Sequence, residues 1–481
     1  MTPLRLPWLE LAILTPAVGS LWVRFRREPA EARRHALAFC ALTLLLTIGG
    51  WADFIALGAG QADDARGPLS AIAGRPLFRI DDLNAPLLPM GALIYILTIL
   101  ATLRAKIREF SLSRALITES ILLATFASAT PRGAVAMMIL SIVPRWHELW
   151  RNGQSSRVYL AHMGLFAALL ILGESGVSRA ASPGEQPLWA ILTLTLAMLL
   201  RSGVIPLHCW MTDLFEHASF GTALLFVAPM TGAFGVARLV APVAPEWALK
   251  IISVMSLATA IYAAGMALVQ RDARRFFCYI FLSHSSLVLV GIETATPIGL
   301  TGSLSLWLSV SLALTGFGLV LRCIEARVGR VPLSEYLGLY EQVPMLAGLF
   351  LLTGLASAGF PGTAGFISIE MIVEAAMEAV PVVGPLIVIV TALNGLAVTS
   401  AYFRIFAGRP RPSSIDLQVR RPERIAVMIT TILIIGGGLF PQWGVENRYR
   451  AALGILGSRS GGDAAQGVRP ARMHAPGSEA R

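Results

Sequence analysis

The 481-residue chain is 55% hydrophobic and 14% charged, with mean hydropathy +0.67 and a formal net charge of +10. A soluble domain carries about 25% charged residues, so the composition excludes a soluble globular protein and indicates an all-α polytopic membrane chain. The basic excess lies between apolar segments, where it sets membrane orientation; nucleic-acid binding is not needed to explain it.

A helix needs about 20 mostly apolar residues to cross a bilayer. In chain order, candidate spans centre on 8–23, 36–57, 87–103, 113–129, 134–145, 159–174 and 187–206. They continue with 220–243, 247–269, 276–295, 299–321, 345–372, 379–405 and 424–445, which makes about fourteen transmembrane helices. The first apolar segment can serve as its own anchor, so no cleavable leader is required. Basic residues fall after odd spans: Arg24 to Arg34 after the first, Arg104/Lys106/Arg108/Arg114 after the third, and Arg145/Arg151/Arg157 after the fifth. Arg271/Arg274/Arg275 follow the ninth, Arg322/Arg327/Arg330 the eleventh, and Arg404 to Arg424 the thirteenth. The alternate loops, such as "GQADDARGP" and "VEAAMEAVP", are neutral or acidic. The positive-inside rule then puts the basic loops in the cytoplasm and both termini on the non-cytoplasmic side of the cell's inner (plasma) membrane. The tail from Ser458 to Arg481 has no apolar period and is expected to be disordered.

No GxxxxGK[ST], no GxGxxG on a strand and no cysteine cluster is present, so no cofactor, metal or redox centre is expected on this chain. Cys40, Cys209, Cys278 and Cys323 are scattered and read as small buried packing residues. Lysine occurs only at Lys106 and Lys250, which leaves almost none to serve as a titratable membrane group.

Two spans carry helix breakers near their middles: the seventh at "RSGVIPLH" and the twelfth at "ASAGFPGTAGFISIE". Backbone groups freed by such breaks are tolerated in hydrocarbon only where they face protein or water. Each break adjoins an ionisable residue, Arg201 and Glu370, and paired discontinuous helices point to an ion or substrate path.

The block "LLRSGVIPLHCWMTD" (199–213) resembles the "K-x-x-x-x-P-x-H-x-W-L-P-D-A" signature of the antiporter-like membrane subunits. That family comprises the proton-pumping chains of NADH:quinone oxidoreductase and the large subunits of multi-subunit sodium/proton antiporters and membrane-bound hydrogenases. It also includes the membrane half of inorganic-carbon accumulating complexes. "FRIDDLNAPLLPM" (78–90), "FGVARL" (234–239), "RDARRFFCYIFLSHSSLVLVGI" and "GLYEQVPMLAGLFLLTGLASAGFPGTAGFISIEMIVEAA" are similar to further family blocks in the family's order, so the resemblance covers roughly residues 78–410. It implies two inverted repeats with broken helices 7 and 12. The expected organisation is residues 1–110 as helices 1–3, 111–269 as the first half, 270–410 as the second half, 411–457 as a fourteenth helix and 458–481 as the tail.

The family relays protons through mid-membrane Glu, Lys and His residues, which can work because burial brings a lysine's pKa within reach. Here the span-seven Lys falls on Arg201, and a guanidinium does not deprotonate. The span-five Glu falls near Ile139 or Leu140, with Glu148 expected at the membrane edge. The span-eight position falls near Met230 and the span-eleven Lys near Thr315 or Gly316. Path candidates are therefore Arg201, His208, His284, Glu370 and Glu119, the last as the partner of Arg201. Asp272 beside Arg274 and Arg275 reads as a loop ion pair. The resemblance implies a proton-translocating subunit with a depleted relay. Its partners would be other subunits of a complex, the lipid bilayer, and protons or cations. At most the chain is one membrane subunit of a quinone-reductase-type translocase. The alternatives are the membrane half of a bicarbonate/CO2 accumulating system, a non-conducting scaffold, and a stand-alone permease.

Overall fold

The computed structural model describes residues 2–102, 110–180, 186–292, 294, 296–409 and 419–459. Lys106 with its neighbours and the tail beyond Arg459 lie outside the described residues. Helix α1 (Trp8–Arg24) and α2 (Pro29–Leu57) form the first hairpin, and β1 (Thr2–Pro3), β2 (Gln61–Asp63) and β3 (Arg79–Asp81) tie the N-terminus to the following loop. The short α3 (Pro68–Ala73) lies within that loop. Then come α4 (Leu87–Leu100), α5 (Leu112–Ala127), α6 (Pro131–Leu140), α7 (Val143–Arg151), α8 (Arg157–Val177), α9 (Leu188–Ser202) and α10 (Cys209–His217). α11 (Phe220–Val227), α12 (Thr231–Gly235) and a π-helical turn at Val236–Val240 follow. The chain closes with α13 (Glu246–Leu268), α14 (Ala273–Ile292), α15 (Pro297–Val328), α16 (Pro344–Ser357), α17 (Ala364–Ala379), α18 (Val383–Phe406), α19 (Arg421–Leu439) and α20 (Pro441–Arg459).

Local chemistry explains many of these boundaries. Side-chain oxygens of Ser111, Thr130, Ser219 and Thr296 accept amides of the first turns of α5, α6, α11 and α15, and proline opens α2, α6, α15 and α16. Among the described residues, eight helical stretches are long and apolar enough to cross a membrane, with shorter apolar helices at Leu87–Leu100, Leu188–Ser202 and Pro344–Ser357. The expected fifth span divides into α6 and α7. α20 was not expected as a separate element, and it carries helix through Arg459 where the tail was expected to begin.

The outer surface is greasy: Leu45, Val254 and Ile432 are each more than 60% exposed, as suits side chains that meet lipid. The stretch Phe220–Val240, α14 and α15 form the central column and are buried almost throughout. Hydrogen bonds between helix ends divide the molecule into two faces. On one, Arg33 donates to Leu100 O, Arg322 to Thr98 O, Arg275 to Glu216, and Leu337 N to Arg404 O. On the other, Leu4 N donates to Asp63 O, Ala129 N to Leu77 O, Arg238 pairs with Asp81, and Arg448 holds Leu83 O. The expected Asp272 ion pair is different: Asp272 Oδ1 caps the amides of Arg274 and Arg275. Their guanidiniums go to Glu325 and Glu216.

Candidate functional site: a buried polar interior at three interrupted helices

The seventh span breaks where expected, between α9 and α10. Gly203 ends α9 with φ +76°, and Pro206 cannot continue the helix. The freed groups find partners: Ile205 N donates to Thr259 Oγ1 at 3.1 Å, and Trp210 Nε1 donates to Leu200 O at 2.9 Å. The twelfth span likewise breaks between α16 and α17, through Gly359 (φ +78°), Pro361 and Gly362 (φ +87°).

A third interruption was not expected. The eighth span, read as continuous, parts at Pro229–Met230, where Met230 takes φ +51°. This is the left-handed region, which a non-glycine residue occupies only when its surroundings demand it. Here too the exposed carbonyls are claimed. Trp307 of α15 donates to Pro229 O at 3.2 Å, and Arg201 approaches Phe226 O at 3.5 Å. Two interrupted helices therefore meet at Arg201.

Arg201 is buried, with its guanidinium carbon 3.9 Å from the Phe226 ring centroid and 5.5 Å from that of Trp210. It lines two cavities of ≈20 Å³ each. One reaches α14 at Phe281 and Ser285. The other reaches α4 and α5 at Tyr95 and Thr118. Each is large enough for about one water molecule. Glu119, the expected partner of Arg201, turns elsewhere: its Oε2 accepts the Cys40 thiol at 3.0 Å, and no Glu119–Arg201 ion pair forms. The reason is helical geometry, since Thr118 faces the cavity and the next residue points about 100° away, toward α2.

His284 on α14 is fully buried; its Nδ1 lies 2.7 Å from Ile280 O, and its Nε2 has no partner among the described residues. Its neighbour Ser283 donates to Ala260 O and accepts from Asn394 Nδ2 at 2.9 Å, which joins α14 to α13 and α18. His208 stands at the start of α10, half-buried, with its ring 5.6 Å from that of Tyr262. Glu370 is exposed on the outside of α17, in one stripe with Glu374 and Glu378. The structure thus gathers Arg201 with Phe281, Ser285 and Leu289 of α14 around one interior and leaves both Glu119 and His284 one residue away from the cavity-lining Thr118 and Ser285. Glu370 stands apart, on the surface. Between α15, α17, α19 and α20 a larger cavity of ≈200 Å³ adjoins the twelfth-span break, lined in part by Ser305, Ser309, Ser368 and Arg448.

Sequence reasoning missed three participants. Arg145, read as a loop charge, is 4% exposed, stands 5.3 Å from the Phe226 ring centroid and lines a cavity with Arg201. Glu148, expected at a polar membrane edge, is 2% exposed, accepts from Thr222 at 2.9 Å and lies 3.7 Å from Arg114. Arg448 is buried and holds the carbonyls of Asp82 and Leu83. Arg145 and Glu148 do share one face of a helix, but the same spacing occurs on solvated helices, so it does not mark them as buried. Cys209 is exposed, contrary to the expectation that all four cysteines pack inside; it follows His208 at the open mouth of the break. No group of His, Cys, Asp and Glu suited to a metal occurs among the described residues.

Residues 159–394 match the family model described as NADH:quinone oxidoreductase/Mrp antiporter, transmembrane. The NAD(P)H-quinone oxidoreductase chain 4 of Synechococcus sp. (strain WH7803) is 24% identical over 502 residues, an alignment that covers 95% of this chain and 90% of that relative. A chain of respiratory complex I from Thermus thermophilus shares the fold with a TM-score of 0.83 at 22% identity, over 94% of this chain and 99% of that one. A chain of the Mrp complex from Dietzia sp. DQ12-45-1b does so with a TM-score of 0.77 at 16% identity, over 93% and 97%.

Proposed function

The chain belongs to the antiporter-like membrane subunit family, and from that premise we propose that it is a proton-translocating membrane subunit of a larger energy-coupling complex of the NADH:quinone oxidoreductase type. The observation that carries this reading is the placement of Arg201: it faces a walled polar interior between two water-sized cavities, at the meeting of two interrupted helices, and not lipid. Such an interior can hold the waters and hydroxyls that pass a proton. Arg201 cannot itself carry one, so it acts as a fixed charge beside the path.

In this reading the chain crosses the inner membrane about fourteen times as two inverted repeats, residues 111–269 and 270–410, preceded by helices within 1–110 and followed by a last crossing in 411–457. The separation of helix ends into two faces supports this count, since every odd span would end on the basic face. That face is cytoplasmic and both termini lie opposite it. The relay is depleted at the positions of Arg201, Met230 and Thr315, which leaves His284 as a buried titratable group and Glu370 on the outer face of α17. Glu370, Glu374 and Glu378 would be costly against hydrocarbon, at roughly 2.5–3.5 kcal/mol for a carboxylate at mid-bilayer; a neighbouring subunit covers them.

The test is proton flux. The assembly is purified through a tag on this chain, reconstituted into liposomes and compared with one carrying Arg201→Ala and Glu370→Gln. A flux at least several-fold lower is expected, because the variant loses the donor that closes the eighth-span break at Phe226 O and the Glu370 carboxyl together. Equal flux would leave the chain as a non-conducting scaffold.

A further inference from the structure

We propose that Arg145 and Arg201 together hold a small monovalent anion of chloride size in the cavity they share. This goes beyond proton translocation and stands or falls separately from it, because its test reads binding rather than flux.

Both arginines are 4% exposed, and the Nε of each lacks a hydrogen-bond partner among the described residues. Among the described residues neither has a carboxylate within ion-pair distance. The nearest acidic side chain along the chain, Glu148, is engaged by Thr222 and Arg114, and Glu119 by Cys40. What the two arginines do share is the Phe226 ring, at 5.3 and 3.9 Å from its centroid, and the wall of one cavity of ≈20 Å³. Thr231, whose hydroxyl has no partner, lines the same cavity, as does Tyr95; no acidic residue does.

The electrostatic balance of such a site is one-sided. Each buried ion loses hydration that only an opposite charge or several hydrogen bonds can replace, and aromatic faces offset part of it. A guanidinium does not escape by releasing its proton. Two like charges around one void, with a hydroxyl still able to donate, form a receptor for an anion. Its size follows from the cavity, which exceeds the room one water needs but not by enough for several heavy atoms. Chloride and bromide fit. Bicarbonate, with four heavy atoms, does not.

The full-length chain is purified in detergent and melted in sodium chloride or sodium gluconate at equal ionic strength. Raising chloride from 1 to 300 mM should raise the midpoint by about 2–4 °C, as for a ligand brought to some tens of times its dissociation constant. Bromide should do the same, and bicarbonate and gluconate should not. Arg145→Gln should abolish the response and, in gluconate, melt no lower than the unsubstituted chain, since it removes an uncompensated charge. Arg145→Lys should retain a weaker response, and Arg151→Gln, an exposed position on the same helix, should retain it in full. An equal response in gluconate, a response that survives Arg145→Gln, or stabilisation by bicarbonate without chloride would each overturn the proposal.

Discussion

Glu423→Gln tests how α19 is held to α15. Arg327 at the end of α15 meets Glu423 in the first turn of α19 through two parallel bonds, Nη1 to Oε1 at 2.8 Å and Nη2 to Oε2 at 2.6 Å. The side chains are 6% and 2% exposed. Glu423 also accepts the Arg420 amide at 2.9 Å, and Arg327 also donates to Cys323 O at 2.8 Å. A solvated pair of this kind contributes about 0–1 kcal/mol. A dry pair differs, because removing one partner leaves a buried uncompensated charge and costs roughly 3–5 kcal/mol. Glutamine keeps the shape and one acceptor but turns an NH2 group toward the guanidinium. For a chain of this length, at roughly 1–2 °C per kcal/mol, the midpoint should fall by about 4–8 °C. Adding Arg327→Met should recover most of that loss, since apolar replacement of a whole buried pair is often neutral. Thermal melts of the two variants in detergent decide the matter. A Glu423→Gln midpoint within about 1 °C of the unsubstituted chain, or a double variant no better than the single, would refute the reasoning.

Gly232→Ala should destabilise by about 1–3 kcal/mol and reduce flux: an added Cβ would lie 2.3 Å from Ser202 Oγ and 3.0 Å from Ser202 N, forcing α12 away from the seventh-span break. Full activity of that variant would mean that the two interrupted helices need not touch. Asp64, in the loop between β2 and α3, has its carboxyl pushed up to about 6, first by burial. Its folded pKa therefore exceeds the unfolded one, so its contribution is present below about pH 4 and is lost as pH rises through about 6. Melting midpoints taken across that window should show the decline, and Asp64→Asn should flatten it. A maleimide should label Cys209 in the native chain and all four cysteines after denaturation; rapid native labelling of Cys40, Cys278 or Cys323 would contradict their burial.

The membrane class of the chain was legible because hydrocarbon imposes a length and a composition on every crossing. The alternation of basic loops was legible for a related reason; in the structure Arg275, at the start of α14, meets Glu216 of α10, and Arg322 near the end of α15 meets Thr98 near the end of α4. What escaped was whatever depends on pairing across the bundle. "FVAPMTGAF" is apolar enough to pass for an unbroken span, and its break exists only because Trp307, 77 residues beyond Met230, and Arg201 satisfy the carbonyls it frees. Glu119 suited Arg201 by charge alone, but the helical phase that brings Thr118 to the cavity sends Glu119 to Cys40. Arg145 looked like an orientation signal because loop arginines and buried arginines have the same sequence signature until a cavity is seen beside one.

The same arginines constrain how a proton could pass. At 4 Å, and at an effective dielectric constant near 20, a fixed positive charge repels a hydronium by about 4 kcal/mol, enough to slow transfer about a thousandfold. A lysine relay avoids this by giving up its own proton; Arg201 has no such option. It is also committed as a donor to the break in the eighth span, so it cannot swing away without leaving Phe226 O exposed in a low-dielectric interior. A negative charge close to the guanidinium would offset that repulsion. Glu119 is turned away and Glu148 is engaged, which leaves the cavity shared with Arg145 as the place for one. An anion seated there would lower the barrier on both sides of Arg201, because both cavities touch that one side chain.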